Sequence, residues 1–219
     1  MFGLRPVFLV SVVFAVTRAA RVLFLCEEVK SHQGNFAVLA EGLAEKGHEV
    51  HWLFRENSPV PKTFKGERKH ILRYHKGNMN FEMEDFYNFL TLSAIENPGD
   101  LTRIFEKITS LVPELARTVL LKNEDIMQTL EKVGFDAAIV DGISLTKYLF
   151  LIPHRLNIPI VTLSDGLEPW HARVSWLPSF CPLNVLPLTD NMNFFERLQN
   201  FFFYIYLHRT GIAPPLPTD

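Results

Sequence analysis

Cysteine is scarce in this chain: Cys26 and Cys181 are the two in 219 residues. Two cysteines make no disulfide framework, and there is no C-x-x-C. A cationic excess is missing too. Lys and Arg number 22 against 24 Asp and Glu, for a net charge of −2. Without a surplus of positive charge to neutralise phosphates, nucleic acid is excluded as a partner. Neither G-x-G-x-x-G nor G-x-x-x-x-G-K-[ST] occurs, so nothing cradles a dinucleotide or a nucleoside triphosphate by those means. The absent G-x-S-x-G elbow argues against a secreted α/β hydrolase. No Asn-x-Ser/Thr sequon is present; Asn57-Ser58-Pro59 comes nearest and fails. There is no internal repeat and no low-complexity tract.

Apolar residues, by contrast, are plentiful at 47%, enough for a large core in one domain of good size. Phenylalanine is abundant, with 19 residues that concentrate near Phe81–Phe89 and Phe194–Phe203. Such clusters suit an apolar ligand surface, a membrane contact or an aromatic core. At the start, Arg5 precedes an apolar run from Pro6 to Val16, and Thr17 and Ala19 fit the −3 and −1 positions of a cleavage site. The run is too short to span a bilayer. Residues 1–19 are therefore expected to be a signal peptide, with the mature chain starting near Ala20 in the endoplasmic reticulum lumen or outside the cell, without a transmembrane anchor.

The hydrophobic pattern alternates between strands and helices. Arg21 to Cys26 reads as a buried strand, followed by a polar loop from Glu27 to Ser31 that ends in His32. Gly34 to Lys46 is predicted helical, because Phe36, Leu39, Ala40 and Leu43 fall on one stripe, and Gly47 supplies the stop. His48 to Phe54 is a second strand with alternating Val50, Trp52 and Phe54. Ile71 to His75 is a short third. Phe81 to Ile95 is helical up to Asn97-Pro98-Gly99. A helix capped by Asp100 then carries Leu101, Ile104, Phe105, Ile108, Leu111 and Val112, and its pattern runs on through Ile126, Leu130 and Val133 to Gly134. Asp136 to Val140 is a buried strand ending at Asp141, Ser144 to Arg155 is helical, and Ile160 to Leu163 is a strand. Residues 164–188 are irregular. Thr189 or Asp190 is expected to cap a last, packed helix in which Phe194, Leu198, Phe201, Phe202 and Ile205 share a face. This order predicts an α/β class, a doubly wound parallel sheet.

In open sheets of this kind, ligands bind outside the carboxyl ends of the strands. Two polar residues stand there: His32 past the first strand and Asp141 at the end of a later one. An aspartate that accepts a hydrogen bond from one imidazole nitrogen fixes the tautomer and stabilises the imidazolium, while the other nitrogen takes a proton from a substrate hydroxyl. Without a nucleophilic Ser or Cys, such a pair suits activation of an acceptor alcohol. Spacing alone favours the plainer reading, a loop histidine and an aspartate that caps a helix. His48-Glu49-Val50-His51 lacks the helical spacing of a zinc protease, and its two imidazoles are placed on opposite strand faces, so joint metal binding is not expected. His70, His75, His154, His171 and His208 read as surface or structural residues. The helix around Phe201 has Glu196 and Arg197 on its polar side instead of the basic stripe of a membrane-surface helix.

These residues resemble a known family, the UDP-glycosyltransferases of the glucuronosyltransferase type. The first strand with Ser31-His32, and the run Leu43 to Val50, resemble its opening unit. Phe135-Asp136 through Asp141 resembles its "FD…D" strand, and Leu156-Asn157-Ile158-Pro159 the turn after it. Most specific is Trp176-Leu177-Pro178 with Pro187 through Arg197, completed by Asn200. The resemblance spans about residues 21–207 and is only an outline over 56–130. It implies the N-terminal half of a GT-B fold, built from Rossmann-like domains, with residues 20–210 as the acceptor-binding domain and 211–219 as a divergent tail. His32 would deprotonate a small lipophilic acceptor and Asp141 would partner it; the sugar would come, with inversion, from a UDP-sugar. That donor is a co-substrate, so no resident cofactor and no metal ligand are implied. The family's donor-binding signature and C-terminal anchor are not found in these 219 residues, and inactivity of this half alone is expected. The alternative is a non-catalytic luminal protein that binds apolar ligands or associates with full-length family members, with membrane-surface contact through Phe194, Phe201 and Phe202. The acidic Glu27-Glu28-Val29-Lys30 loop and Gln33 depart from the family's usual residues.

Overall fold

A computed structural model describes residues 19–27, 29–75, 83–96, 102–164, 177–183 and 186–209. The expected signal peptide, the Asp100 cap, Trp176 and the 211–219 tail lie outside the described residues.

Four of the five positions in β1 (Arg21–Leu25) are buried. Such an unbroken apolar run belongs to a parallel strand covered on both faces. It is the middle strand of a five-stranded parallel sheet in the order β3-β2-β1-β4-β5, formed with β2 (Glu49–Arg55), β3 (Lys69–Tyr74), β4 (Ala137–Asp141) and β5 (Ile160–Leu163). Successive strands step outward from β1 on one side through β2 and β3. The chain then crosses back to β4 on the other side, so the order reverses between β1 and β4. There Val22 to Leu25 pair with Ala137 to Val140.

Strand alternation divides the core in two. On one face Val22, Phe24, Val50, Trp52, Phe54 and Ile139 meet Phe36, Ala37 and Ala40 of α1 (Lys30–Glu45). Several of the phenylalanines are spent here: Phe24, Phe36, Phe54 and Phe64 surround the fully buried Trp52, with ring centroids 4.9–5.9 Å from it. On the other face Leu23, Leu25, Leu53, Ala138 and Val140 pack against α2 (Met83–Glu96), α3 (Thr102–Leu121), α4 (Glu124–Val133) and α5 (Leu151–Leu156). Helices on both faces of a parallel sheet make the doubly wound α/β class that the sequence predicts.

Four boundaries differ from expectation. α1 begins at Lys30, so His32 lies in its first turn and not in a loop; Val29 precedes it with no side-chain cap. The long helical pattern breaks at Asn123, whose Nδ2 donates to the Thr118 carbonyl at 2.8 Å and ends α3. Side-chain competition of this kind is what places asparagine in turns. Residues Ser144–Phe150 form a 3₁₀ helix before α5. The last helix, α6 (Phe194–Arg209), is capped by Asn193 and not by Thr189 or Asp190. Asn193 Oδ1 accepts from the Glu196 amide at 3.1 Å, and Glu196 Oε2 accepts from the Asn193 amide at 2.7 Å, a reciprocal capping box. Its packed face also differs: Phe203, Tyr204 and Leu207 meet Leu183 and Leu186. Phe194, Phe201 and Phe202 are exposed by 71, 43 and 59%.

Candidate active site

β1 and β4 are adjacent and parallel, so their carboxyl ends open onto one rim at the reversal of strand order. That is where doubly wound sheets hold ligands. Asp141 is the last residue of β4. Alternation points it, like Ile139, toward α1. His32 is the third residue of α1, the helix that β1 leads into. Across 109 residues of sequence the two meet: His32 Nδ1 is 2.9 Å from Asp141 Oδ2. An ionised carboxylate only accepts, so Nδ1 donates and the Nε2 edge is the basic one. The pair is unequal in access. The side chain of Asp141 is fully buried, whereas that of His32 is 11% exposed. A molecule in the crevice therefore reaches the imidazole and not the carboxylate.

Three residues around this aspartate were given no site role from the sequence. Thr146, fully buried in the 3₁₀ segment, donates its hydroxyl to the Asp141 carbonyl at 2.7 Å. Cys26, a buried thiol outside any disulfide, has Sγ 3.7 Å from Asp141 Oδ2. Gly142 follows, packed against the end of β5 and the residue after it. A Cβ there would stand 2.4 Å from Thr162 Cγ2 and 3.2 Å from Ser164 Cβ. A glycine directly after an aspartate at a strand end was the available signal; nothing in the sequence marked Thr146. Beside the rim, the buried Tyr74 donates its hydroxyl to Glu27 Oε1 at 3.4 Å. A cleft of about 420 Å3 runs along Lys30, Gln33, Ala37, Pro61 and Thr63, so the unusual Gln33 lines it while His32 does not.

His171 lies outside the described residues; the other described histidines scatter, with one exception. His48 precedes β2, and its Nδ1 accepts from the Ala20 amide at 3.0 Å. His75 Nδ1 lies 2.6 Å from Glu56 Oε2, and that contact, first as a hydrogen bond and then as a charge, raises its pKa above the usual 6.5. His51 and His70, read from sequence as unrelated, stack at 4.3 Å. Burial first, then the His70 ring, pushes the His51 imidazole down to about 4, against the pull of Glu49.

Fold and site together define a doubly wound α/β protein with an imidazole–carboxylate pair in the crevice where the strand order reverses. A model of the family described as "UDP-glucoronosyl and UDP-glucosyl transferase" matches residues 20–214. The chain belongs to that family. It is 26% identical over 208 residues to the 2-hydroxyacylsphingosine 1-beta-galactosyltransferase of Rattus norvegicus, covering 90% of this chain and 36% of that one. To the UDP-glucuronosyltransferase 3A1 of Xenopus laevis it is 25% identical over 202 residues, covering 88% and 37%. The chain thus spans little more than a third of the length of these curated relatives. The crystal structure of the calicheamicin glycosyltransferase CalG4 aligns at a TM-score of 0.41 and 14% identity, over 90% of this chain and 44% of that one.

Proposed function

We propose that this chain is the acceptor-binding part of a glucuronosyltransferase-like UDP-glycosyltransferase, the N-terminal half of a GT-B fold, with His32 as its base. The observation that carries this reading is the 2.9 Å contact between His32 and the buried Asp141 at the sheet's ligand-binding rim. The proton of the acceptor hydroxyl passes to His32 Nε2. The acceptor oxygen forms its bond to the anomeric carbon as the bond from that carbon to the diphosphate oxygen breaks, and UDP leaves with the electron pair. Attack from the side opposite the leaving group inverts the centre. Asp141 is a positioning residue: it holds the ring and stabilises the imidazolium without touching substrate.

The acceptor is a small lipophilic alcohol or phenol on this reading; the rat relative's name specifies an acylsphingosine. The UDP-sugar is a co-substrate held mostly by groups outside these 219 residues, and the chain alone turns nothing over. The lack of either phosphate-cradling motif in these residues supports this. Residues 1–19 direct the chain to the secretory lumen. The open Phe194, Phe201 and Phe202 face contacts a membrane surface or a family member. A second reading, a non-catalytic luminal protein that binds apolar ligands, is favoured by the exposure of Phe194, Phe201 and Phe202.

The test supplies UDP-glucuronic acid or UDP-glucose and a phenolic acceptor to the purified chain, alone and joined to the remaining part of a family relative. The expected result is no transfer by the chain alone and transfer by the joined protein, reduced about 10²–10⁴-fold by His32→Ala, the usual contribution of a positioned base. Transfer that survives His32→Ala undiminished would remove the base. Acceptor binding with no transfer in any combination would favour the binder.

A further inference from the structure

The amino-end rim of the sheet, opposite the His32–Asp141 crevice, holds a second cluster. His51 on β2 and His70 on β3 are register partners in neighbouring parallel strands, so their side chains leave the same face side by side. Their rings stack with planes 26° from parallel. Glu49, two residues before His51, shares that face by strand alternation. One donor atom from each of the three lies within 4.8 Å of the other two. His51 is buried, and neither of its ring nitrogens has a hydrogen-bond partner among the described residues. Glu49 Oε2, at 3.8 Å from Nε2, is beyond hydrogen-bond range. A buried polar group left in this way calls for an explanation, and an unfilled ligand role is one.

We propose that Glu49, His51 and His70 form a binding site for a divalent metal ion of borderline softness, with zinc as the reference case. Two imidazoles and one carboxylate are a ligand set that zinc accepts in three-ligand sites, where a fourth position stays open. Bonds of about 2.0–2.1 Å in a tetrahedron set ligand atoms about 3.4 Å apart. The cluster therefore closes on an ion by rotation of side chains, without movement of the strands. His51 is the fixed member, held by burial and by the edge contact with Phe135 at 5.2 Å. Glu49, whose side chain is 41% exposed, has room to turn. It now faces Arg21, with Nε 3.5 Å from Oε2, and the ion displaces that contact. Bound there, the metal ties β2 to β3 at the end of the sheet away from the crevice. The site stands or falls independently of the proposed transferase chemistry.

The experiment is a calorimetric titration of zinc chloride into the tag-free, EDTA-stripped 219-residue chain, with thermal melts in parallel. Expected are one ion per chain, a rise in Tm with zinc, and binding at least tenfold weaker in His70→Asn and in Glu49→Gln. His154→Asn, at an exposed position on α5, binds zinc as the native chain does. Cobalt(II) gives the visible absorption of a four-coordinate site, and both variants lose it. If His70→Asn melts early in EDTA, Glu49→Gln decides, because its side chain is half open. No saturable binding, or binding that Glu49→Gln leaves unchanged, overturns the proposal.

Discussion

Asn200 shows how much a single side chain fastens. It is fully buried; its Oδ1 accepts from the Leu183 amide at 2.9 Å, and its Nδ2 lies 2.9 Å from the carbonyls of both Pro178 and Cys181. It thus clamps the 178–183 segment to α6. Asn200→Ala leaves the buried Leu183 amide and two part-buried carbonyls without this partner, at about 1–3 kcal/mol for a fully buried group and less for the others. The expected loss of stability is about 2–4 kcal/mol in a urea melt, and a loss below about 0.5 kcal/mol would contradict the clamp. The family-like block ending at Asn200 was legible in the sequence; its use as a clamp was not, because the partners are main-chain groups with no signature. His75 makes a second prediction. Its folded pKa lies above the unfolded 6.5 through Glu56, so the stability it contributes is full below pH 6.5 and is lost as pH rises through the folded value. A histidine NMR titration should place His75 above 6.5, and Glu56→Gln should return it toward that value. A midpoint unmoved by Glu56→Gln would contradict the pairing.

At the scale of elements, the strands were easy to read and the helix ends were not. Five buried or alternating runs predicted five strands to within about two residues, because a two-residue period or an unbroken apolar run leaves little choice of register. α1 starts four residues before the predicted Gly34 because no capping side chain announces it. The break at Asn123 was hidden because Ile126 and Leu130 continue the apolar spacing in phase across it. α6 misled for a similar reason: the sequence shows which residues share a face but not which face is covered. The junction of β4 with β5 carries a prediction of its own. Gly142→Ala pushes a methyl against Thr162 Cγ2, a short branched side chain with little freedom to yield. Overpacking of this kind costs about 1–3 kcal/mol. It also shifts the end of β4 that carries Asp141, so the variant should show a lowered Tm and a weakened acceptor response. A variant as stable as the native chain would mean that β5 gives way.

Across the whole molecule, the decisive fact is an adjacency that no local pattern contains. His32 and Asp141 are far apart in sequence and become neighbours because β4 pairs with β1, where the strand order reverses. From spacing alone the plainer reading of both residues prevailed; family resemblance pointed to the pair, and the fold brings it within 2.9 Å. The central claim is that this pair presents a basic imidazole edge to an acceptor hydroxyl. The most direct measurement is long-range 1H–15N NMR of the histidine-labelled chain, titrated with a phenol. At neutral pH His32 should carry its proton on Nδ1, Asp141→Asn should abolish this preference, and the Nε2 signal should shift on phenol addition. An Nε2-protonated ring, or a His32 signal indifferent to the phenol, would contradict it.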